Sequence, residues 1–194
     1  MQAIGPRTSA NRSSVAVRWL SYLLCTVTAF SLPARVQGAA APSEPLEYQV
    51  KAAFLLNFTK FIEWPRLESE ALDSPSAICI LGEDPFGSTL DQMVEGETLL
   101  GHRITVQRVR RPSPSSCRVL FVSRSEKDVE GLLAAVRPGV LTVGEAPDFL
   151  HDGGMIDFVV EKGRVRFDIN EGAAARAGLK LNSRLLNVAR SVER

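Results

Sequence analysis

Apolar positions fall into two patterns along this chain. Between 46 and 64, Leu46, Val50, Phe54, Phe58 and Phe61 recur at spacings of three and four, the stripe of an amphipathic helix, and Pro65 stops it. Residues 66–75 have the composition of a surface loop. Residues 77–82 (AICILG), 119–122 (VLFV) and 140–143 (VLTV) are short apolar runs without polar alternation, which suits strands covered on both faces. Among them, 103–109 alternates with period two and 90–94 reads as part of a short helix. Ser123 and Ser125 are placed to cap a helix reaching Val136.

Further along, 155–160 and 164–169 flank Lys162-Gly163, a hairpin signature in which glycine supplies the positive φ of the turn. Asn170 can cap a helix through Arg176 that Gly178 ends, and a last helix begins near Ser183. Strands alternating with helices predict a single α/β domain. Its expected architecture is a mainly parallel sheet with helices on both faces, finished by a C-terminal antiparallel hairpin.

The N-terminal segment follows a different logic. Arg7, Arg12 and Arg18 precede the apolar run WLSYLLCTVTAF at 19–30, and small residues follow at 38–40, the layout of a secretory signal. A run of about twelve residues falls short of the roughly twenty that span a bilayer. We therefore expect a signal peptide at 1–38, a linker at 39–45 and the domain at 46–194. The signal carries four arginines and no acid, so its removal changes 23 basic and 22 acidic residues to 19 and 22. That mildly acidic domain has no polybasic field, so nucleic acid is not an expected partner.

Export gives the cysteines meaning. Cys25 leaves with the signal, and Cys79 and Cys117 remain as an even pair in an oxidising compartment. A bridge from the first buried strand to the start of the third is the expected state, with two buried thiols as the open alternative. Their separation in sequence disfavours a redox-active pair.

Little else in the sequence points to catalysis. His102 and His151 are the only histidines, with no second ligand at metal spacing and no nucleophile elbow. Residues 82–89 place two glycines after a strand but lack the lysine of a phosphate loop, and Glu83 with Asp84 would repel an anion. No enzyme, metal or cofactor is predicted. Glu83, Asp84, Ser123 and Glu145 follow strand ends, where open α/β sheets collect ligands, and would form a rim for a small cationic or zwitterionic molecule. Helix caps and solvated loops explain the same residues. Phe54, Phe58, Phe61 and Trp64 suit burial against the sheet, with a partner-binding role as the other reading. Arg184, Asn187 and Arg190 form a polar face on the last helix.

Several stretches together resemble the YfiR family of exported bacterial proteins: 48–65 (YQVKAAFLLNFTKFIEWP), 80–87 (ILGEDPFG), 141–145 (LTVGE), 153–156 (GGMI), 167–170 (FDIN) and 177–186 (AGLKLNSRLL). The resemblance implies a periplasmic regulator that binds the periplasmic part of an inner-membrane diguanylate cyclase and represses cyclic-di-GMP synthesis. It also implies a disulfide that Cys79 and Cys117 match. A second cysteine pair of the best-known member has no counterpart here, since no cysteine follows Cys117. We expect the partner surface at Phe149, Arg184, Asn187 and Arg190, with a homodimer as another partner class. The alternative function is a periplasmic small-molecule-binding protein that uses the rim.

Overall fold

The computed structural model describes residues 46–65, 76–110 and 117–194, which fall in one compact unit. The expected signal peptide, the linker and the 66–75 loop lie outside the described residues. In chain order the elements are α1 (Leu46–Phe58), β1 (Ile62–Glu63), β2 (Ser76–Leu81), α2 (Ser88–Val94), β3 (Thr98–Leu99), β4 (His102–Val109) and β5 (Cys117–Val122). There follow α3 (Val129–Ala134), β6 (Leu141–Gly144), β7 (Ile156–Glu161), β8 (Arg164–Asn170), α4 (Glu171–Arg176), β9 (Lys180–Leu181), α5 (Ser183–Val188) and β10 (Ser191–Glu193).

Eight strands form one sheet in the order β10-β8-β7-β6-β5-β2-β4-β3. Strands β4, β2, β5, β6 and β7 run parallel, β8 returns antiparallel to β7, β10 lies parallel to β8, and β3 folds back on β4. The sheet is therefore mixed, which corrects the mainly parallel expectation. Its unanticipated strands are two or three residues long, too short to carry a period. The unalternating runs occupy the centre, where β2, β5 and β6 are buried throughout. The expected hairpin is β7–β8, with Lys162 at φ 50 and Gly163 at φ 72 in its turn.

Each face of the sheet carries its own core. On one, Ile78, Ile80, Val119 and Phe121 pack beneath α1, beside an aromatic group in which Phe58 stands 5.0 Å from Phe167 and 5.9 Å from Phe158 between ring centroids. On the other, Ala77, Cys79, Leu81, Leu120 and Val122 meet Val129 of α3 and Phe149.

A bulge decides how the cysteines meet. Ala77 pairs with Cys117 whereas Ile78 pairs with Val119, so Arg118 is an extra residue in β5. Without it Cys117 would share a face with Val119 and Phe121. With it, Cys117 joins Leu120 and Val122 on the face of Cys79. The two cysteines form a disulfide with Cα atoms 5.7 Å apart, between neighbouring strands.

Two helices differ from expectation. α1 ends at Phe58 because Thr59, Lys60 and Phe61 donate backbone hydrogen bonds three residues back and Thr59 Oγ1 donates to the Leu56 carbonyl, which tightens the last turn. Ile62 and Glu63 then pair with Leu181 and Lys180 in a separate two-stranded sheet. α3 begins at Val129, where Asp128 accepts a hydrogen bond from Gly131 N, so the cap is neither Ser123 nor Ser125. Asn170 does cap α4, accepting from Ala173 N at 2.8 Å.

Phe149 is a correction of another kind. Expected on an outer loop as a partner anchor, it is fully buried, its ring lying between Gly144 and Gly154. A Cβ on either glycine would come within 2.4 and 2.2 Å of that ring. Gly144→Ala is expected to displace Phe149 and cost about 1–3 kcal/mol, the range of an overpacked core. Chemical denaturation would measure it, and an unchanged midpoint would refute this packing.

Candidate functional site

The strand ends and the first turns of α1 build a buried ionic cluster. Lys51 points inward from an apolar stretch of α1 and is 1% exposed. An ammonium there must be paired. Its Nζ lies 2.5 Å from Glu47 Oε1, one turn earlier, and 2.5 Å from Glu145 Oε2, directly after β6. The Tyr48 ring centroid is 4.7 Å away, close enough for a cation–π contact.

Glu145, with a side chain 2% exposed, is the hub. Besides Lys51 it accepts hydrogen bonds from Arg124 Nε at 3.0 Å, Arg124 Nη2 at 3.2 Å and Tyr48 Oη at 3.1 Å. Burial pushes the Glu145 carboxyl up, but the hydrogen bonds from Arg124 and Lys51 outweigh it and hold the group below the usual carboxylate range. Burial and the adjacent Glu145 charge push Tyr48 up to about 12. Glu47 and Glu145 balance Lys51 and Arg124, so the cluster is self-neutralised. It fastens the start of α1 to the ends of β5 and β6.

The predicted rim comes together only in part. Ser125 Oγ accepts from Glu83 N at 3.0 Å and Ser123 Oγ accepts from Ser125 N at 3.4 Å, while Arg124 between them holds Glu145. Glu83, Ser123 and Glu145 are thus linked through one turn. Asp84 faces α2 instead: it accepts from Phe86 N and Gly87 N and binds Arg108, which also holds Asp91. Of the three rim acids, Glu83 alone makes no ion pair among the described residues, so the carboxylates a cationic ligand needs are largely taken.

The predicted partner face divides as well. Arg184 and Asn187 are exposed on α5. Arg190 lies beyond the helix, which corrects its placement on that face. Its Nε donates to Asp168 Oδ1 at 2.9 Å and its backbone N to the Phe167 carbonyl at 2.8 Å, setting β10 beside β8.

Asp168 directly opposes Asp157 across the hairpin. Burial would raise Asp168, but the Arg190 guanidinium holds it low. Asp157, whose Oδ1 is buried and accepts no hydrogen bond from the described residues, is pushed up to about 7 by burial and by the Asp168 charge. The folded protein thus keeps this proton up to about pH 7, whereas the unfolded chain releases it near pH 4. Stability is lost as pH rises through that window. Asp157→Asn should remove the loss and add about 2 kcal/mol at pH 8, allowing for partial exposure. Melting curves from pH 5 to 8 test this, and an equal slope in both proteins would contradict it.

The sequence reading missed Lys51, Tyr48 and Arg124. A signal for the first was present: a lysine inside the apolar run 50–58 with Glu47 one turn before it.

The sequence profile described as YfiR/HmsC-like matches residues 48–190. A search of curated proteins returns no match. Among solved structures, the chain is similar to a conserved domain protein from Vibrio cholerae O1 biovar El Tor strain N16961, at 10% identity and a TM-score of 0.45 over 75% of this chain. The match spans 60% of that protein's chain.

Proposed function

Because the chain belongs to the YfiR/HmsC-like family, whose members are regulatory rather than catalytic, we propose that it is a periplasmic regulator. On this reading it binds the periplasmic part of an inner-membrane diguanylate cyclase and lowers cyclic-di-GMP synthesis on the other side of the membrane. The family match over residues 48–190 carries the proposal. Among the described residues no helix is long and apolar enough to cross a membrane.

A domain on the periplasmic side cannot touch a catalytic centre on the other side of the membrane. Repression must then come from preferring one conformation of the sensor, and moving a 1:99 equilibrium to 99:1 requires a differential affinity of about 5.5 kcal/mol. A few well-placed anchor residues supply that much. The small-molecule alternative gains no support from the rim, where Asp84 and Glu145 already have basic partners. Deleting the gene should raise cellular cyclic-di-GMP and biofilm formation, and restoring it should reverse both. Unchanged cyclic-di-GMP on deletion would remove the proposal.

A further inference from the structure

The apolar surface of α1 is larger than its fold needs. Its inner side buries Lys51, Ala52, Leu55, Leu56 and Phe58. Its outer side carries further apolar side chains beside the exposed Asn57: Leu46 is 73% exposed, Val50 is 36% exposed, and Phe54, one turn on, is half-buried. Large apolar side chains on a surface mark an interaction site, and those on this side of α1 have no cover among the described residues. The stripe is continuous with a groove of about 280 Å³ between α1 and α5, lined by Phe54, Phe58, Phe61, Phe167, Leu185 and Val188 with the exposed Asn57 as its one polar member. Val188 is 60% exposed there. The β1–β9 pairing and the Asn182 N to Phe61 carbonyl hydrogen bond hold the two helices side by side, so the groove is preformed.

Charge at the rim narrows the occupant. Lys60 pairs with Glu97, Lys180 with Glu63, and Arg190 with Asp168. Arg184, one turn before Val188 and so on the same face of α5, is exposed and makes no ion pair among the described residues. A second copy of this chain presenting α1 would bring Glu47, which Lys51 already engages at 2.5 Å. A partner has to supply its own acid. The thirteen residues of α1 span about 20 Å, ample for the roughly 10 Å over which a helix presents anchors at i, i+4 and i+7.

We propose that the outer face of α1 and the α1–α5 groove dock a helical segment of a partner protein, which brings apolar anchors to Val50, Phe54 and Val188 and an acidic side chain to Arg184. This deepens the regulatory reading and rests on it only for placing the partner in the membrane sensor.

The test is site-specific photocrosslinking in intact cells, with a benzophenone amino acid at Val188 and a control at the exposed Val160 on the β7–β8 hairpin. The expected product is a membrane-fraction adduct at Val188, at least tenfold above the control. Its captured peptide should carry apolar residues at helical spacing and an acid. Arg184→Glu should lower the yield about tenfold, and reversing the charge of that acid should restore it. No adduct above the control, a product at twice the chain mass, or a cross-link within the chain would each overturn the proposal. In the deletion strain, Val50→Glu and Val188→Glu should fail to restore low cyclic-di-GMP while Val160→Glu succeeds, all three being folded by circular dichroism. Full restoration by Val50→Glu and Val188→Glu would overturn the docking face alone. If deletion leaves cyclic-di-GMP unchanged, the regulatory reading falls and the crosslink decides the docking face.

Discussion

Glu145→Gln is expected to destabilise the domain by about 3–5 kcal/mol, the cost of removing one partner from a buried ion pair. The variant keeps the size of the side chain and removes the charge to which Lys51 and Arg124 both point. Arg124 is exposed and turns to water at little cost. Lys51 has no such route: its Nζ would keep Glu47, which is partly solvated, and lose the buried carboxylate. Lys51→Met should cost less, because it also removes the buried ammonium, and the double variant should be less damaged than the two single losses summed. The pH dependence adds a second check. The folded Glu145 carboxyl is held below its ordinary value, so its contribution is present above about pH 4.3 and lost as pH falls below it. The wild type should therefore lose stability more steeply on acidification than Glu145→Gln. Guanidinium unfolding at pH 7 and pH 4 measures both effects, and a loss below about 1 kcal/mol at pH 7 would show that the cluster does not hold α1.

Cys79→Ser is expected to remove about 2–4 kcal/mol. The bridge closes a loop with a sequence separation of 38, for which chain-entropy arithmetic gives about 4 kcal/mol. Each cysteine is buried on the sheet face covered by α3, so the serine also places a hydroxyl in an apolar layer. Cys117→Ser should match it, and the double variant should lose much less than the two single losses summed, since both break the same bond. Reductant should lower the wild-type melting temperature to near that of the variants. Thermal melts with and without reductant decide this, and a wild type indifferent to reductant would contradict it.

Much of this fold was legible because its central strands are buried on both faces. Runs such as 77–82 and 119–122 carry that burial in their composition, and Lys162-Gly163 marks the hairpin. The edges were not. β1, β3, β9 and β10 are two or three residues long and form only where a partner strand lies beside them: β1 and β9 pair with each other, β3 with β4 and β10 with β8. The stripe read on α1 was real but pointed partly outward: Leu46 and Val50 face solvent, and the inner face includes a lysine. That inversion hid the ionic cluster, because a lysine in an apolar helix reads as a solvent-facing residue until Glu145, 94 positions away, is seen beside it. Phe149 was misplaced for a similar reason. Its burial depends on two glycines that flank it in space, Gly144 before it and Gly154 after it.

The central claim is regulation across the membrane from the periplasmic side. The most direct measurement is cellular cyclic-di-GMP in the deletion strain complemented with either the full 194-residue chain or residues 39–194, which lack the expected export segment. The account predicts that the full chain restores the low level and that the unexported domain, present in equal amount and folded, does not. Equal restoration by both forms would contradict it.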